Sequence, residues 1–147
     1  MARTVEQNEQ IREARKEKIR IEALQLFSKK GLCATRIQDI AEGAGMSQGL
    51  LYHYYPSKEA IYLDMINDAL DKTNQAAGYV RDMDTTAKEK ILFSLQELFK
   101  TIAASDRFRQ TCRLIAQATN SAELPDEAQE AILKKRETPY RIMAEVF

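Results

Sequence analysis

Residues 46–58, MSQGLLYHYYPSK, concentrate side chains that could recognise another molecule. Tyr52, Tyr54 and Tyr55 are three of the six tyrosines of the chain, and the stretch also holds its only histidine. Amide, hydroxyl and imidazole groups can hydrogen-bond to the edges of bases and to phosphates. Gly49 lies within a helical pattern, where glycine costs about 1 kcal/mol relative to alanine. Helix stability therefore does not explain the presence of this glycine.

Two short helical patterns, at residues 37–43 and 48–55, flank a turn that contains glycine. This layout predicts a helix-turn-helix at about residues 36–55. Gly45 permits the left-handed backbone that such a turn needs, and Ser47 is a good N-cap for the second helix. In this motif the first helix braces the second, whose N-terminal end enters the major groove. We therefore expect double-stranded DNA as a partner.

The second helix of the motif has an inward and an outward face. Leu51 is the natural inward residue, and Tyr54 or Tyr55 should pack one turn later. Gln48 can pair bidentately with adenine, and a glycine beside it lets the helix lie close to the DNA. The outward side chains that can reach phosphates or thymine methyl groups are Tyr52 and His53.

The remainder of the chain predicts an all-α fold. Its 147 residues include only five glycines and three prolines, whereas proteins built from strands need many turn-forming residues. Residues 1–10 are expected to form a flexible, frayed or disordered arm, and the first helix runs from about Ile11 to a stop at Gly31. Further helices are expected to begin at Thr35 through a capping box with Gln38, and at Ser47, Ser57, Thr85 or Thr86, Asp106 and Pro125.

Apolar spacing and cysteine usage give further expectations. The helix that follows Thr86 carries a wide apolar stripe, read as core, at Ile91, Leu92, Leu95, Leu98, Phe99 and Ile102. Pro139 should kink or interrupt the last helix. Cys33 and Cys112 lack metal-type spacing and are expected to be buried thiols, with no metal site and no cofactor.

The charge balance and the lack of targeting signals restrict the class of protein. The net charge of zero argues against a wholly basic nucleic-acid binder. Residues 1–60 carry +2 and residues 61–147 carry −2, a sign that fits an N-terminal part meeting phosphates, although a solvated helix face gives the same count. No apolar run approaches the roughly 18 residues of a membrane span, and the first residues lack the apolar core that a signal peptide would have. A cytoplasmic protein without membrane contact is expected.

The span from about Ile19 to Ile61 resembles the DNA-binding domain of the TetR family of transcriptional regulators. The departures are Met46, where the family usually has valine, and Tyr55, where it usually has phenylalanine; both keep an apolar body. The matching residues are Ala23, Phe27, Gly31, Thr35, Ile40-Ala41, Ala44-Gly45, Ser47-x-Gly49-x-Leu51-Tyr52-x-Tyr54 and Lys58-Glu59.

The resemblance implies DNA contacts from a domain at residues 11–57 and from Lys58, which follows this domain. The side chains expected to contact the DNA backbone are Thr35, Ser47, Tyr52, His53 and Lys58, and Arg36 belongs to the same DNA-binding set. Those expected nearest to base edges are Gln48, Gly49 and Leu50. Helix capping alone would also explain Thr35 and Ser47, and His53 could be an exposed bystander.

For residues 58–147 the resemblance implies a helical effector-binding and dimerisation domain. It also implies a homodimer on a pseudo-palindromic operator and a small-molecule effector. Candidate pocket residues are Met65, Tyr79, Phe93, Phe99, Phe108, Cys112 and Tyr140, with ordinary core as the favoured alternative for each. Family members usually continue for about two more helices, so this domain is expected to be incomplete. The last apolar residues of the chain are expected to pack against a partner surface. They are Ile142, Met143, Val146 and Phe147.

The sequence thus favours a ligand-responsive transcriptional regulator, most often a repressor in such proteins. The alternative is a DNA-binding or architectural module without an effector, and the two differ in whether residues 85–147 enclose a cavity. An enzyme is disfavoured, because the single histidine lies on the recognition helix and no GxSxG, Walker-type or HExxH pattern occurs.

Overall fold

The computed structural model describes residues 4–118 and 122–146, and these residues form helices joined by short connections, with no strand among them. The all-α prediction is therefore confirmed. No helix in these two ranges is both long and apolar enough to cross a bilayer. The helices are α1 (Val5–Ala34), α2 (Ile37–Gly43), α3 (Gln48–Tyr54), α4 (Lys58–Asp82), α5 (Ala87–Ala104), α6 (Asp106–Ala118) and α7 (Asp126–Val146).

Helix α1 begins earlier than the sequence pattern predicted. A capping box starts it at Val5: Gln7 N donates to Thr4 Oγ1 over 3.2 Å, and Thr4 N donates to Gln7 Oε1 over 3.1 Å. These bonds satisfy amides that a helix start otherwise leaves open. The expected disordered arm is therefore wrong for residues 5–10, which are helical, while residues 1–3 lie outside the described part.

The end of α1 is set by Gly31. Its φ of 79° and ψ of 173° interrupt the regular helix, as the predicted stop requires, and one further turn leads to Ala34. The capping box predicted at Thr35 and Gln38 is wrong. Thr35 is 1% exposed, and its hydroxyl donates back to the Gly31 carbonyl over 2.7 Å. Arg36 takes the N-cap position of α2 without a side-chain cap.

The N-terminal compact unit extends to Asp64 and includes the first turns of α4. Tyr62 on α4 packs edge-on against Phe27 of α1, with ring centroids 5.2 Å apart. The predicted domain boundary at residues 57/58 therefore falls short of the observed one at 64/65. The buried apolar residues of this unit are Ile19, Ala23, Leu24, Phe27, Leu32, Ile37, Ile40, Ala41, Ala44, Leu51, Tyr55, Ile61 and Tyr62.

The second compact unit begins at Met65 and differs from the sequence expectation in three places. The apolar stripe of α5 is not core, because no residue of this helix is buried and Phe99 remains 66% exposed. Helix α7 continues through Pro139 without interruption. Cys112 in this unit, like Cys33 in the first, is exposed rather than buried.

Other features of the second unit agree with the predictions. Thr86 and Glu89 form the expected capping box of α5, and α6 begins at Asp106. Lys135 of α7 pairs with Asp71 of α4 over 3.0 Å. The final Phe147 lies outside the described part of the chain.

Replacing Gly31 by alanine should destabilise the N-terminal unit by about 1–3 kcal/mol, because its backbone region is essentially restricted to glycine. An added Cβ would meet no atom within 4 Å, so the cost is conformational rather than steric. Urea unfolding followed by circular dichroism measures it. As the control, Gly49→Ala lies in a regular helix and should leave stability unchanged or higher; equal stability of Gly31→Ala and the parent protein would contradict the assignment.

Candidate nucleic-acid interface

Helix α3 is held at its start by local bonds that the sequence predicted. Leu50 N donates to Ser47 Oγ over 3.1 Å, which caps the helix. Gly45 adopts a φ of 68° in the preceding turn, and Met46 N donates to the Ala41 carbonyl over 3.0 Å. Leu51 is 0% exposed. The helix-turn-helix prediction is confirmed in its turn, its cap and its inward anchor.

The outward face of α3 also has the predicted composition. Gln48, Gly49, Tyr52 and His53 are all exposed, with Tyr52 at 49%, whereas Leu50 is half-buried. A Cβ added at Gly49 would meet no other atom of the protein within 4 Å. Packing within this chain therefore gives no reason for the glycine, and the space outside it is open.

Tyr55 fastens the C-terminal end of α3 to two other helices. Its ring is buried, and its hydroxyl donates to Asp64 Oδ2 of α4 over 2.5 Å. Arg20 of α1 reaches the same carboxylate oxygen at 3.4 Å and also pairs with Glu13 and Glu17. Burial, and then the hydrogen bond to Asp64, raises the pKa of Tyr55 well above its ordinary value. Sequence reasoning placed Tyr55 in the core but missed this network.

Lys58 has an internal role in place of the predicted phosphate contact. Its ammonium donates to the carbonyls of Leu32, Cys33 and Thr35 at 2.8, 2.9 and 3.0 Å. An ammonium has three N–H donors, so these bonds engage all of them. The cation also sits where α1 ends, beside carbonyls that a helix leaves without partners. The predicted contact is corrected to a clamp between α4 and the α1–α2 junction.

Of the remaining predicted contacts, Thr35 is the second to be corrected. Its hydroxyl is buried and donates to a carbonyl of its own helix end, so the predicted phosphate contact by this side chain is wrong. Ser47 and Arg36 are exposed at the starts of α3 and α2. They stay with the outward residues of α3 as candidates.

The candidate effector residues differ in their exposure. Met65 is buried, and Phe93 and Phe108 are half-buried. Tyr79 and Phe93 are in ring contact, with centroids 6.4 Å apart. The others, Tyr79, Phe99, Cys112 and Tyr140, are exposed.

One residue of the second unit went unnoticed in the sequence. Asn74 on α4 has a buried side-chain oxygen without a hydrogen-bond partner among the described residues. A buried polar atom of this kind calls for an explanation, such as a water or a ligand. A lone asparagine in a helix gives no signal that sequence analysis could use.

Tyr55→Phe should reduce the free energy of unfolding by about 1.5–3 kcal/mol, as expected for a hydrogen bond to a charged group. The raised pKa means that the tyrosine contribution is complete below the unfolded pKa of about 10 and is lost as the pH rises above it. The variant should therefore lose less stability at alkaline pH than the parent. Thermal melts between pH 7 and 11 check both effects. Tyr52→Phe, on the exposed face, is the control, and equal behaviour of the two variants would contradict the network.

Comparison with known proteins places these features in a family. Residues 19–65 match the family model of the bacterial regulatory proteins of the tetR family. The chain is 51% identical over 59 residues to the uncharacterized HTH-type transcriptional regulator YuxN of Bacillus subtilis, covering 40% of this chain and 20% of that protein. It is 31% identical over 103 residues to the HTH-type transcriptional repressor KstR2 of Mycolicibacterium smegmatis, covering 70% and 49%. The chain thus spans half or less of these relatives.

Solved structures agree with the fold. A TetR-family transcriptional regulator from Bordetella parapertussis superposes with a TM-score of 0.78 at 24% identity, covering 89% of this chain and 66% of that one. The SmeT–triclosan complex gives 0.71 at 18% identity, covering 90% and 67%. At these identities the likeness shows the fold. Together with the geometry of α2 and α3, the family match leads to one conclusion: residues 19–65 form a helix-turn-helix domain of the kind found in the bacterial regulatory proteins of the tetR family.

Proposed function

We propose that this protein is a sequence-specific DNA-binding transcriptional regulator whose operator binding is released by a small molecule. The outward face of α3 is the observation that supports the DNA-binding part of this proposal. Its polar residues are exposed on a helix whose opposite face is anchored by Leu51, and Gly49 leaves the approach open. Of these side chains, His53 also contacts the ring of Tyr54 edge-on, with centroids 5.6 Å apart, and it remains exposed.

The proposed mode of binding follows from the chemistry of each position. The N-terminal end of α3 enters the major groove, where Gln48 pairs with an adenine and Gly49 allows close approach. Tyr52 and His53 contact phosphates or thymine methyl groups, and Ser47 and Arg36 contact the backbone from the helix starts. Two copies related by a two-fold axis would present two such helices to half-sites about 34–36 Å apart.

The regulatory part of the proposal rests on the second unit and on similar proteins. KstR2 is named a repressor, and the SmeT structure is a complex with triclosan. In this chain the buried, unsatisfied oxygen of Asn74 is a group that a ligand donor could satisfy. An effector that prefers one conformation of the second unit would oppose the operator with a coupling typically worth about 1–3 kcal/mol.

The second candidate is a DNA-binding or architectural module without an effector. The exposed positions of Tyr79, Phe99 and Tyr140 favour it, because an apolar pocket would bury them. A thermal-shift screen of small molecules, followed by operator release, separates the two. The module without an effector is favoured if no compound both stabilises the protein and releases the DNA.

The function as a whole is tested by selecting bound DNA from a random pool. The proposal expects enrichment of one sequence with two-fold symmetry and a fixed half-site spacing. Uniform recovery of all sequences would contradict sequence-specific binding while leaving general DNA binding possible.

Gln48→Ala should relax the preference at one base pair of each half-site by about 1–3 kcal/mol, because it removes a bidentate base contact. The same selection, repeated with the variant, measures this. Gln25→Ala, which removes an exposed glutamine from α1, serves as the control and should select the parent site. An unchanged site for Gln48→Ala would rule out direct readout by this residue.

Gly49→Ala should stabilise the protein slightly, by up to about 1 kcal/mol, because alanine is the better helix former. It should at the same time weaken DNA binding about fivefold or more, because overpacking an interface costs about 1–3 kcal/mol. Unfolding curves and fluorescence anisotropy with the selected duplex measure the two effects. Unchanged affinity would show that the helix does not approach the DNA closely at this position.

A further inference from the structure

Helix α1 continues well ahead of the matched domain, which starts at residue 19, because its capped start lies at Val5. The described residues of this extension are helical throughout. It therefore presents side chains in fixed directions, spaced by about 100° per residue.

The charges of the extension are sorted by sign onto two stripes. Four glutamates recur at a helical spacing that keeps them on one side, at Glu6, Glu9, Glu13 and Glu17. Arg12, Arg15 and Lys16 precede the fully buried Ile19 by seven, four and three residues, so they share its side of the helix. A solvated helix is usually laced with opposite charges at i and i+4. Here each stripe carries one sign.

Contacts within the N-terminal unit show where each stripe points. On the acidic side, Glu13 and Glu17 accept bonds from Arg20, which also reaches Asp64 of α4. The basic stripe instead meets the end of α3: Arg15 Nη1 donates to the Tyr54 hydroxyl over 3.1 Å. Glu13 and Glu17 therefore lie toward α4, and Arg15 lies beside the recognition helix.

Lys16, the next cation of the basic stripe after Arg15, has a different contact. Lys16 Nζ lies 5.1 Å from the ring centroid of Tyr55, within the range of a cation–π interaction. It is half-buried, whereas Arg12 and Arg15 are exposed. The two arginines are thus the members of the stripe that remain open to a partner.

We propose that Arg12 and Arg15 bind backbone phosphates of the duplex next to the half-site, so that the extension of α1 lengthens the DNA interface of α3. The inference rests on the proposed DNA binding of α3. Tyr54, the residue after His53 of the outward face, places Arg15 directly against that helix. Guanidinium groups match phosphate oxygens bidentately.

The test compares two double variants that remove the same charge. Arg12→Gln/Arg15→Gln removes the basic stripe, and Lys18→Gln/Lys29→Gln removes two exposed cations from a third side of α1. Affinity for the selected duplex is measured by anisotropy from 50 to 200 mM salt. One duplex carries long flanks beyond the half-sites, and a second is trimmed close to them. Circular dichroism confirms that both variants are folded.

The arginine variant should lower the slope of log K against log salt by about 0.9 for each phosphate that is no longer neutralised, or about 1.8 for each chain. Because two chains bind one duplex, the slope should fall by about 3.6 in all, and the affinity for the long duplex should then fall about 150-fold less than that of the parent over this fourfold range of salt. On the trimmed duplex it should match the parent. The lysine variant should match the parent on both, and all proteins should select the same half-site sequence.

The outcomes separate this inference from the proposed function. If the parent selects a site but both double variants show the same slope on the long duplex, the phosphate stripe is wrong and the function of α3 stands. A difference that persists on the trimmed duplex would place the arginines over the half-site rather than beyond it and would overturn the inference. If the parent selects no DNA, both fail.

Discussion

The recognition face of α3 depends on how the other side of this short helix is fastened. A helix of seven residues has no stability of its own in water, so its conformation must come from caps and packing. Ser47 caps the start, Leu51 buries the middle, and Tyr55 closes the end through Asp64, to which Arg20 of α1 also binds. With three points fixed, the residues between them are free to be polar and to include a glycine. The exposed face is therefore a consequence of the anchored one.

The same logic separates side chains that are exposed on α3 from side chains that hold the domain together. Lys58 and Thr35 both look like phosphate ligands in the sequence, yet both bind carbonyls near the end of α1. Lys58 thereby joins the start of α4 to the α1–α2 junction. Arg15 performs a related task at the other end, where its bond to Tyr54 joins the basic stripe of α1 to the recognition helix. Lys58 of α4 is thus engaged within the domain, whereas Arg15 of α1 and Arg36 at the start of α2 are exposed.

Features that depend on neighbours in the chain could be predicted from the sequence, and features that depend on distant partners could not. The left-handed Gly45, the cap at Ser47 and the inward Leu51 are local, and all three were found. The partners of Lys58 lie more than 20 residues away, and those of Tyr55 are split between α1 and α4. Such contacts require the fold. The prediction that the apolar stripe of α5 belongs to the core was wrong for another reason. Periodicity shows that a helix has an apolar face but does not show that a neighbour covers it.

The central claim, that the outward face of α3 contacts DNA, can be tested through the only histidine of the chain, His53. Its imidazole gives a single set of proton NMR signals, which report on that face without any substitution. Titration with the duplex selected from a random pool should shift or broaden these signals in step with binding, while a duplex of unrelated sequence should change them less. If the protein binds the selected duplex and the imidazole signals stay unchanged, His53 and the helix that carries it do not face the DNA, and the account is contradicted.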